Sequence, residues 1–378
     1  MKADPWRETG KEMFRFADQL GPEKIVHIHE PRVGLEAIVV VDNTAAGPAI
    51  GGTRIASDVS VEECVRLARA MTLKNAAAGL AHGGAKSVIV GDPSMAPPDK
   101  ERIVRAFADA IRNLAEYIPG PDMGTNETAM AWIKDEIGRS VGLPREIGGI
   151  PLDEIGATGF GLAVAAEAAQ EVSGIALRGA RVVAQGFGAV GRHAARFLAG
   201  KGARLIAASD SKGAVLDPDG LDIGRLEVHK AAGRSFADLA AARRVTPEDL
   251  IGIDCDIWIP AARPDVIRED NVDRLRAKIV LQGANIPATL GAERRMHERG
   301  ILSVPDFIAN AGGVIAAAVE YHGGTEKAAL DAIAEKIAAN TRAVLKTATD
   351  KGVPPREAAL ELARKRVERA MELRRWQA

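Results

Sequence analysis

At 378 residues the chain is longer than one hydrophobic core usually organises, so two domains are expected. Hydrophobic residues at 47% and charged residues at 27% exclude an intrinsically disordered chain. Fifty Lys and Arg against 51 Asp and Glu leave a net charge of −1, which gives no bulk electrostatic basis for binding nucleic acid or an anionic membrane surface.

Residues 1–17 alternate charged and apolar groups without a secretory apolar core, and no apolar run approaches the ~20 residues of a membrane span. Residues 33–42 end in a β-branched run and read as a strand; 43–48 break the chain, and 49–55 form a second strand carrying Gly51-Gly52. Ser60-Val61-Glu62-Glu63 has capping-box spacing, and Val61, Cys64, Val65, Ala68 and Met71 recur at helical period behind it, predicting a helix to about residue 77. A short buried strand at 87–90 precedes a Pro-rich loop, and helices are expected at 103–117 and 126–137. Cys64 and Cys255 cannot make a disulfide framework and no CxxC is present, so a cytoplasmic protein with reduced thiols and no metal site is expected.

The stretch 142–156, with four Gly and two Pro, reads as the domain boundary. Beyond it strands at 180–185, 203–210, 255–260 and 279–281 alternate with helices, including 189–200, which predicts a doubly wound parallel sheet. Long amphipathic helices at 328–348 and 355–375 close the chain.

Gly186-Phe187-Gly188-Ala189-Val190-Gly191 follows one of these strands and opens the next helix, the context in which GxGxxG binds a dinucleotide rather than merely making a tight turn. The first Gly makes the turn, the second admits the pyrophosphate, and the third packs helix on strand. Asp210 ends the following strand 19 residues after Gly191, where a ribose-binding carboxylate belongs. Ser209, Ser211 and Lys212 flank it and can accept a 2′-phosphate, so NAD is favoured with NADP left open.

His82-Gly83-Gly84-Ala85-Lys86-Ser87 resembles a P-loop, but Ala85 between Gly84 and Lys86 breaks the spacing by one residue. A lysine held between glycines and a buried strand is instead placed for desolvation, which lowers its pKa and makes it a base near neutral pH. Lys74, on the preceding helix, and Asp122, in a Pro-Gly turn before a helix, are candidates to converge with it on a cleft between the domains. A solvated loop lysine is the plain alternative. His27 and His29 lack a third metal ligand, His193 is expected to face solvent, Cys64 reads as core, and the basic run 364–369 reads as a solvated helix face or a subunit contact.

In Gly47 to Arg54, Met71-Thr72-Leu73-Lys74, Gly83 to Lys86, Gly120 to Thr125, Ala157-Thr158-Gly159, Gly186 to Gly191, Gly283-Ala284-Asn285 and Ala309 to Val314, the chain resembles the Glu/Leu/Phe/Val amino-acid dehydrogenases over nearly its whole length. The resemblance implies an α/β fold: an N-terminal α/β substrate and oligomerisation domain (1–150, rejoined by a C-terminal helix at about 345–378), a Rossmann-type doubly wound NAD(P)-binding domain (151–344), and a cleft between them. It implies NAD(P)-dependent oxidative deamination of an L-amino acid to its 2-oxo acid and ammonia by a homo-oligomer, hexamer or octamer. Lys74 would bind the substrate carboxylate, Lys86 would activate water, and Asp122 would relay the amino-group proton. Thr158, Asn285 and Asn310 would hold the nicotinamide; the glycine loop, Asp210 and Ser211 would hold the rest of the cofactor.

In the glutamate enzymes a lysine precedes the Gly-Gly that matches Gly51-Gly52, and a serine lies at the position of Ala317. Here the lysine position is Ile50. With Gly120 and Val314, these residues predict an apolar pocket, because a side-chain carboxylate would be desolvated without partners. The glutamate reading keeps Ser209 to Gly213, residues 309–314 and the cation of Arg54 in its favour. A silent dinucleotide-binding regulator is disfavoured by the presence of Lys86 and Asp122, and a 2-hydroxyacid dehydrogenase by the absence of a His in a fitting motif.

Overall fold

A computed structural model describes residues 12–239 and 243–374; the beginning of the 1–17 segment and Arg375 of the last predicted helix lie outside the described residues. The chain divides into two compact units, one of Met1–Ile150, Glu320–Gly323 and Ala363–Ala378, the other of Pro151–Val319 and Gly324–Leu362. Among the described residues no helix is long and apolar enough to cross a membrane.

The first unit contains β1 (Lys24–Glu30), β2 (Leu35–Asn43), β3 (Ala49–Ala56), α1 (Val61–Ala77), β4 (Gly83–Val90), α2 (Pro97–Ala110), β5 (Tyr117–Pro121) and α3 (Glu127–Ile137). Its sheet order is β1-β2-β4-β3-β5, with β3 parallel to both neighbours and β1 and β2 antiparallel. The β-branched run of β2 is buried on both faces: Val39 and Val41 join one apolar cluster with Ile89, Phe107 and Met130, and Val40 joins another with Cys64 and Val88. That two-sided burial is why this strand reads as a continuous apolar run rather than an alternation. Ser60 caps α1 by accepting the Glu63 N–H, as the spacing predicts, and Asn126, expected as the first residue of a helix, caps α3 by accepting that of Ala129.

Two expectations fail here. The helix predicted over 103–117 stops at Ala110, and Tyr117 instead begins β5. Pro119 and Pro121 bar a helix and are tolerated because β5 is an edge strand. The glycine loop expected before Ser87 is strand: β4 starts at Gly83, and a Cβ on Gly84 would lie 2.0 Å from the Thr72 nitrogen of α1. The glycines thus mark close packing of helix on strand rather than a turn.

The rest of the chain contains α4 (Ala157–Ser173), β6 (Arg181–Gln185), α5 (Ala189–Gly200), β7 (Arg204–Ser209), β8 (Ala214–Leu216), α6 (Ile223–Ala231), β9 (Arg243–Val245), β10 (Cys255–Pro260), β11 (Ala277–Leu281), α7 (Leu290–Glu298), β12 (Leu302–Val304), α8 (Asp306–Ala309), α9 (Gly312–Tyr321), α10 (Glu326–Lys351) and α11 (Pro355–Leu373). All of it belongs to the second unit except the end of α9 from Glu320 and the part of α11 from Ala363, which belong to the first. The sheet runs β12-β11-β10-β6-β7-β8-β9; its first five strands are parallel and β8-β9 extend it antiparallel. This is the doubly wound sheet the alternation predicts, and its order reverses between β6 and β10, the switch point where open α/β sheets bind ligands.

Candidate active site

Strand register builds the first half of the site. Ile50 pairs with Gly84 and with Ile118, Gly52 with Gly120, and Arg54 with Val88. Paired residues point to one side of a sheet, so Ile50, Gly52 and Arg54 share a face with Gly84, Lys86, Gly120 and Ile118, the face that α1 covers. A Cβ on Gly52 would lie 2.9 Å from the Asp122 Cβ and 3.0 Å from the Lys86 Nζ. Gly51, facing the other way, has no room for a Cβ, which would fall 1.7 Å from the Ala85 carbonyl oxygen. The lack of a side chain at Gly52 thus lets Asp122 and Lys86 lie directly against β3.

Lys86 is 5% exposed, and its ammonium touches the carboxylate of Asp122. Burial pulls the lysine down to about 7; the nearby Arg54 charge acts in the same direction, and Cys64 and Glu63 oppose it. Lys74 is half-buried on α1 at the same face. The adjoining Asn75, which sequence reasoning passed over, is fully buried and donates to the Gly83 carbonyl at 2.7 Å, tying α1 to the start of β4. Arg54 was also underread. Its guanidinium pairs with Glu63 and lies 3.6 Å from Asp122 Oδ2. The apolar end of the face is Ile50 at 3% exposure with Ile118 fully buried, and a Cβ on Gly120 would meet Val141 at 3.2 Å.

In the second unit the glycine loop follows β6. Gly186 has φ +96°, a conformation that side chains rarely adopt, and a Cβ on Gly191 would lie 1.9 Å from the Gly186 carbonyl oxygen. A Cβ on Gly188 would meet nothing within 4 Å, and α5 starts there without a side-chain cap. The exposed backbone and helix N-terminus suit a pyrophosphate. A cavity of about 820 Å³ is lined by Gly186, Phe187, Gly188, Asp210, Ser211, Lys230 and Arg263, enough for the adenosine side of a dinucleotide. Val190 packs under the loop, where a Cβ on Gly283 would lie 3.2 Å from it.

Asp210 sits after β7 as expected, but five donors already hold its carboxylate: Lys230 Nζ, Ser235 Oγ, and the N–H groups of Lys212, Gly213 and Phe236. Burial works against its charge, yet Lys230 and these N–H groups bring its pKa down to about 2. Lys230, on α6, was invisible to motif spacing. Asn310 is 5% exposed, donates to Asn285 Oδ1 at 3.1 Å, and leaves its own Oδ1 buried without a partner. An orphaned acceptor fits an incoming carboxamide N–H. Thr158 opens α4 against the start of α9, with its Oγ1 3.5 Å from where a Gly313 Cβ would be. Val314 and Ala317 lie on α9, half-buried and buried.

His193 does not face solvent. It is 6% exposed because Gly156 and Gly159 leave room for its ring; a Cβ on either would lie within 2.5 Å of a His193 carbon. In the basic run, Arg366 is not simply solvated, since it donates to the carbonyls of Ala76 and Ala77 at the end of α1. His27 and His29 are exposed on edge strand β1, and Cys64 is core.

The Glutamate/Leucine/Phenylalanine/Valine dehydrogenase family matches residues 148–375, and the Glu/Leu/Phe/Val dehydrogenase, dimerisation domain, matches residues 22–139. The glutamate dehydrogenase of Aeropyrum pernix is 34% identical and covers 99% of both chains. The leucine dehydrogenase of Bacillus subtilis is 36% identical over 95% of this chain and 94% of its own. Among solved structures, the hetero-hexameric glutamate dehydrogenase of Thermus thermophilus in its Leu bound form superposes with a TM-score of 0.83 at 29% identity, covering 100% of this chain and 99% of that one. Matched across both units, the chain belongs to the Glu/Leu/Phe/Val dehydrogenase family and is an oxidoreductase, an amino-acid dehydrogenase.

Proposed function

We propose that this dehydrogenase oxidatively deaminates an L-amino acid with an apolar side chain, of the Leu, Val or Phe kind, to its 2-oxo acid and ammonia. One observation carries the choice: the Lys86 face ends in buried Ile50 and Ile118, and Arg54, the nearby cation able to receive a side-chain carboxylate, is engaged by Glu63 and Asp122. A glutamate γ-carboxylate there would be desolvated unpaired, costing several kcal/mol, whereas burying an apolar side chain gains about 1.5–3 kcal/mol.

In this reading the Lys74 ammonium pairs with the substrate α-carboxylate and Asp122 takes a proton from the substrate ammonium. A nicotinamide dinucleotide, when bound, would supply the acceptor for the Cα hydride. Neutral Lys86 then takes a proton from water as its oxygen adds to the imino carbon; Asp122 returns its proton to the nitrogen and takes that of the carbinolamine hydroxyl as the carbonyl forms and ammonia departs. Asn310, Asn285 and Thr158 would hold the carboxamide, and the loop from Gly186 through Ala189 to Gly191 would hold the pyrophosphate. Initial rates on Glu, Leu, Val, Ile and Phe test the substrate: kcat/KM for the best apolar substrate is expected to exceed that for Glu by about 10²-fold or more. Faster turnover of Glu would overturn the pocket assignment in favour of a glutamate dehydrogenase.

For the cofactor, the reading is acceptance of NAD and also NADP. Lys230 balances the Asp210 charge that would repel a 2′-phosphate, and Ser211 lies on the cavity wall beside it. Lys230→Met is expected to raise KM for NADP roughly tenfold or more while leaving KM for NAD within about threefold, as for loss of one charge-assisted phosphate contact. Equal changes for both cofactors would remove Lys230 from 2′ recognition. The buried free thiols of Cys64 and Cys255 suit a cytoplasmic setting, and the match to a dimerisation domain supports a homo-oligomer.

A further inference from the structure

Beside the Lys86–Asp122 contact stands a second cation that the reaction scheme leaves without a task. Arg54 lies two residues beyond Gly52 on the same face of β3, and its side chain is only 17% exposed. One terminal nitrogen pairs with Glu63 in the first turn of α1, the other lies 3.6 Å from Asp122 Oδ2, and its Nε is buried with no hydrogen-bond partner. A group this desolvated is held by its two carboxylates rather than by water, and Asp122 is gripped from both sides.

We propose that Arg54, clamped by Glu63, is a positioning residue of the deamination: it fixes the Asp122 carboxylate against Lys86 and presents a standing positive charge to that pair. The inference rests on the reading of Lys86 and Asp122 given above. The charged or titratable groups facing Lys86 are Arg54 on β3, Glu63, Cys64 and Lys74 on α1, and Asp122 after β5; burial is the largest influence on the lysine, with Arg54 acting in the same direction and Cys64 and Glu63 opposing it. Arg54 and Glu63 therefore act on Lys86 with opposite sign although they form one ion pair. A purely structural clamp would not separate them.

The test is the pH profile of kcat/KM for amino-acid oxidation by the full-length enzyme and its Arg54→Gln, Arg54→Lys and Glu63→Gln variants, from pH 6 to 10, with Lys86→Ala in parallel. Removing the Arg54 charge makes Lys86 hold its proton to higher pH. Arg54→Gln should thus move the acid limb upward, with a loss of about tenfold at pH 7 that narrows to about threefold or less at pH 10. Glu63→Gln should move the limb downward, and Arg54→Lys, which keeps the charge, should leave it near wild type. A uniform loss at every pH, or shifts of the same direction in the Gln variants, overturns the proposal. Should Arg54→Gln fail to fold, the downward shift in Glu63→Gln still decides it. Retained activity in Lys86→Ala would sink the underlying reading instead, whereas an inactive Lys86→Ala with an unmoved Arg54→Gln profile sinks only the role of Arg54.

Discussion

Lys86→Ala is expected to lower kcat/KM by about 10²- to 10⁴-fold while leaving cofactor affinity unchanged, the loss typical of removing a positioned general base. The selectivity follows from placement. Lys86 belongs to the first compact unit and Gly186 to Gly191 to the second, so truncating the lysine alters none of the packing that shapes the loop. Rates and the fluorescence titration of reduced cofactor separate the two effects; activity within tenfold of wild type would exclude Lys86 as the base. The parent enzyme should lose activity as pH falls through about 7, because only the neutral amine accepts a proton. Stability follows the same shift. The folded-state value lies below the ordinary 10.5, so the unfolded chain binds more protons between about 7 and 10.5, and this group makes stability rise with pH across that window. Lys86→Met should flatten that rise in denaturant titrations at a series of pH values.

Local chemistry was legible in the sequence wherever one segment carries the whole signal. The β2 run, the Ser60 cap and the strand–glycine–helix order at Gly186 stand in the structure where the spacing predicts them. Tyr117 was misassigned because the apolar period of α2 continues past Ala110 into a strand whose partner, β3, is distant in sequence. His193 was misjudged for a related reason: its burial depends on Gly156 and Gly159 of another helix. The relation of Ile50, Gly52, Gly120 and Lys86 as neighbours on one face exists only once β3, β4 and β5 are in register. Arg54, although it ends the matched segment Gly47 to Arg54, acts through Glu63 and Asp122 on other elements, and Lys230 lies in no matched segment.

Gly52→Ala is the second substitution expected to be severe, and it tests the site without removing any functional group. The backbone at Gly52 does not have positive φ, so an alanine meets no conformational penalty there, and the cost is one of space. The added methyl would stand 2.9 Å from the Asp122 Cβ, 3.0 Å from the Lys86 Nζ and 3.2 Å from Asp122 Oδ2. The lysine end can swing away, but the Asp122 Cβ is fixed by a short turn in which its N–H donates to Thr125 Oγ1 at 2.9 Å and Thr125 Oγ1 donates to the Thr53 carbonyl at 2.8 Å. Relief therefore comes by parting Lys86 from Asp122. A displacement near 1 Å in a catalytic pair costs about 10² in rate, whereas the overpacking itself costs about 1–3 kcal/mol of stability. The expected result is a folded enzyme with unchanged cofactor affinity and kcat/KM down by about 10²-fold, the loss falling on kcat more than on KM. Wild-type turnover in Gly52→Ala would mean that the contact between Lys86 and Asp122 is not the arrangement in which the reaction runs.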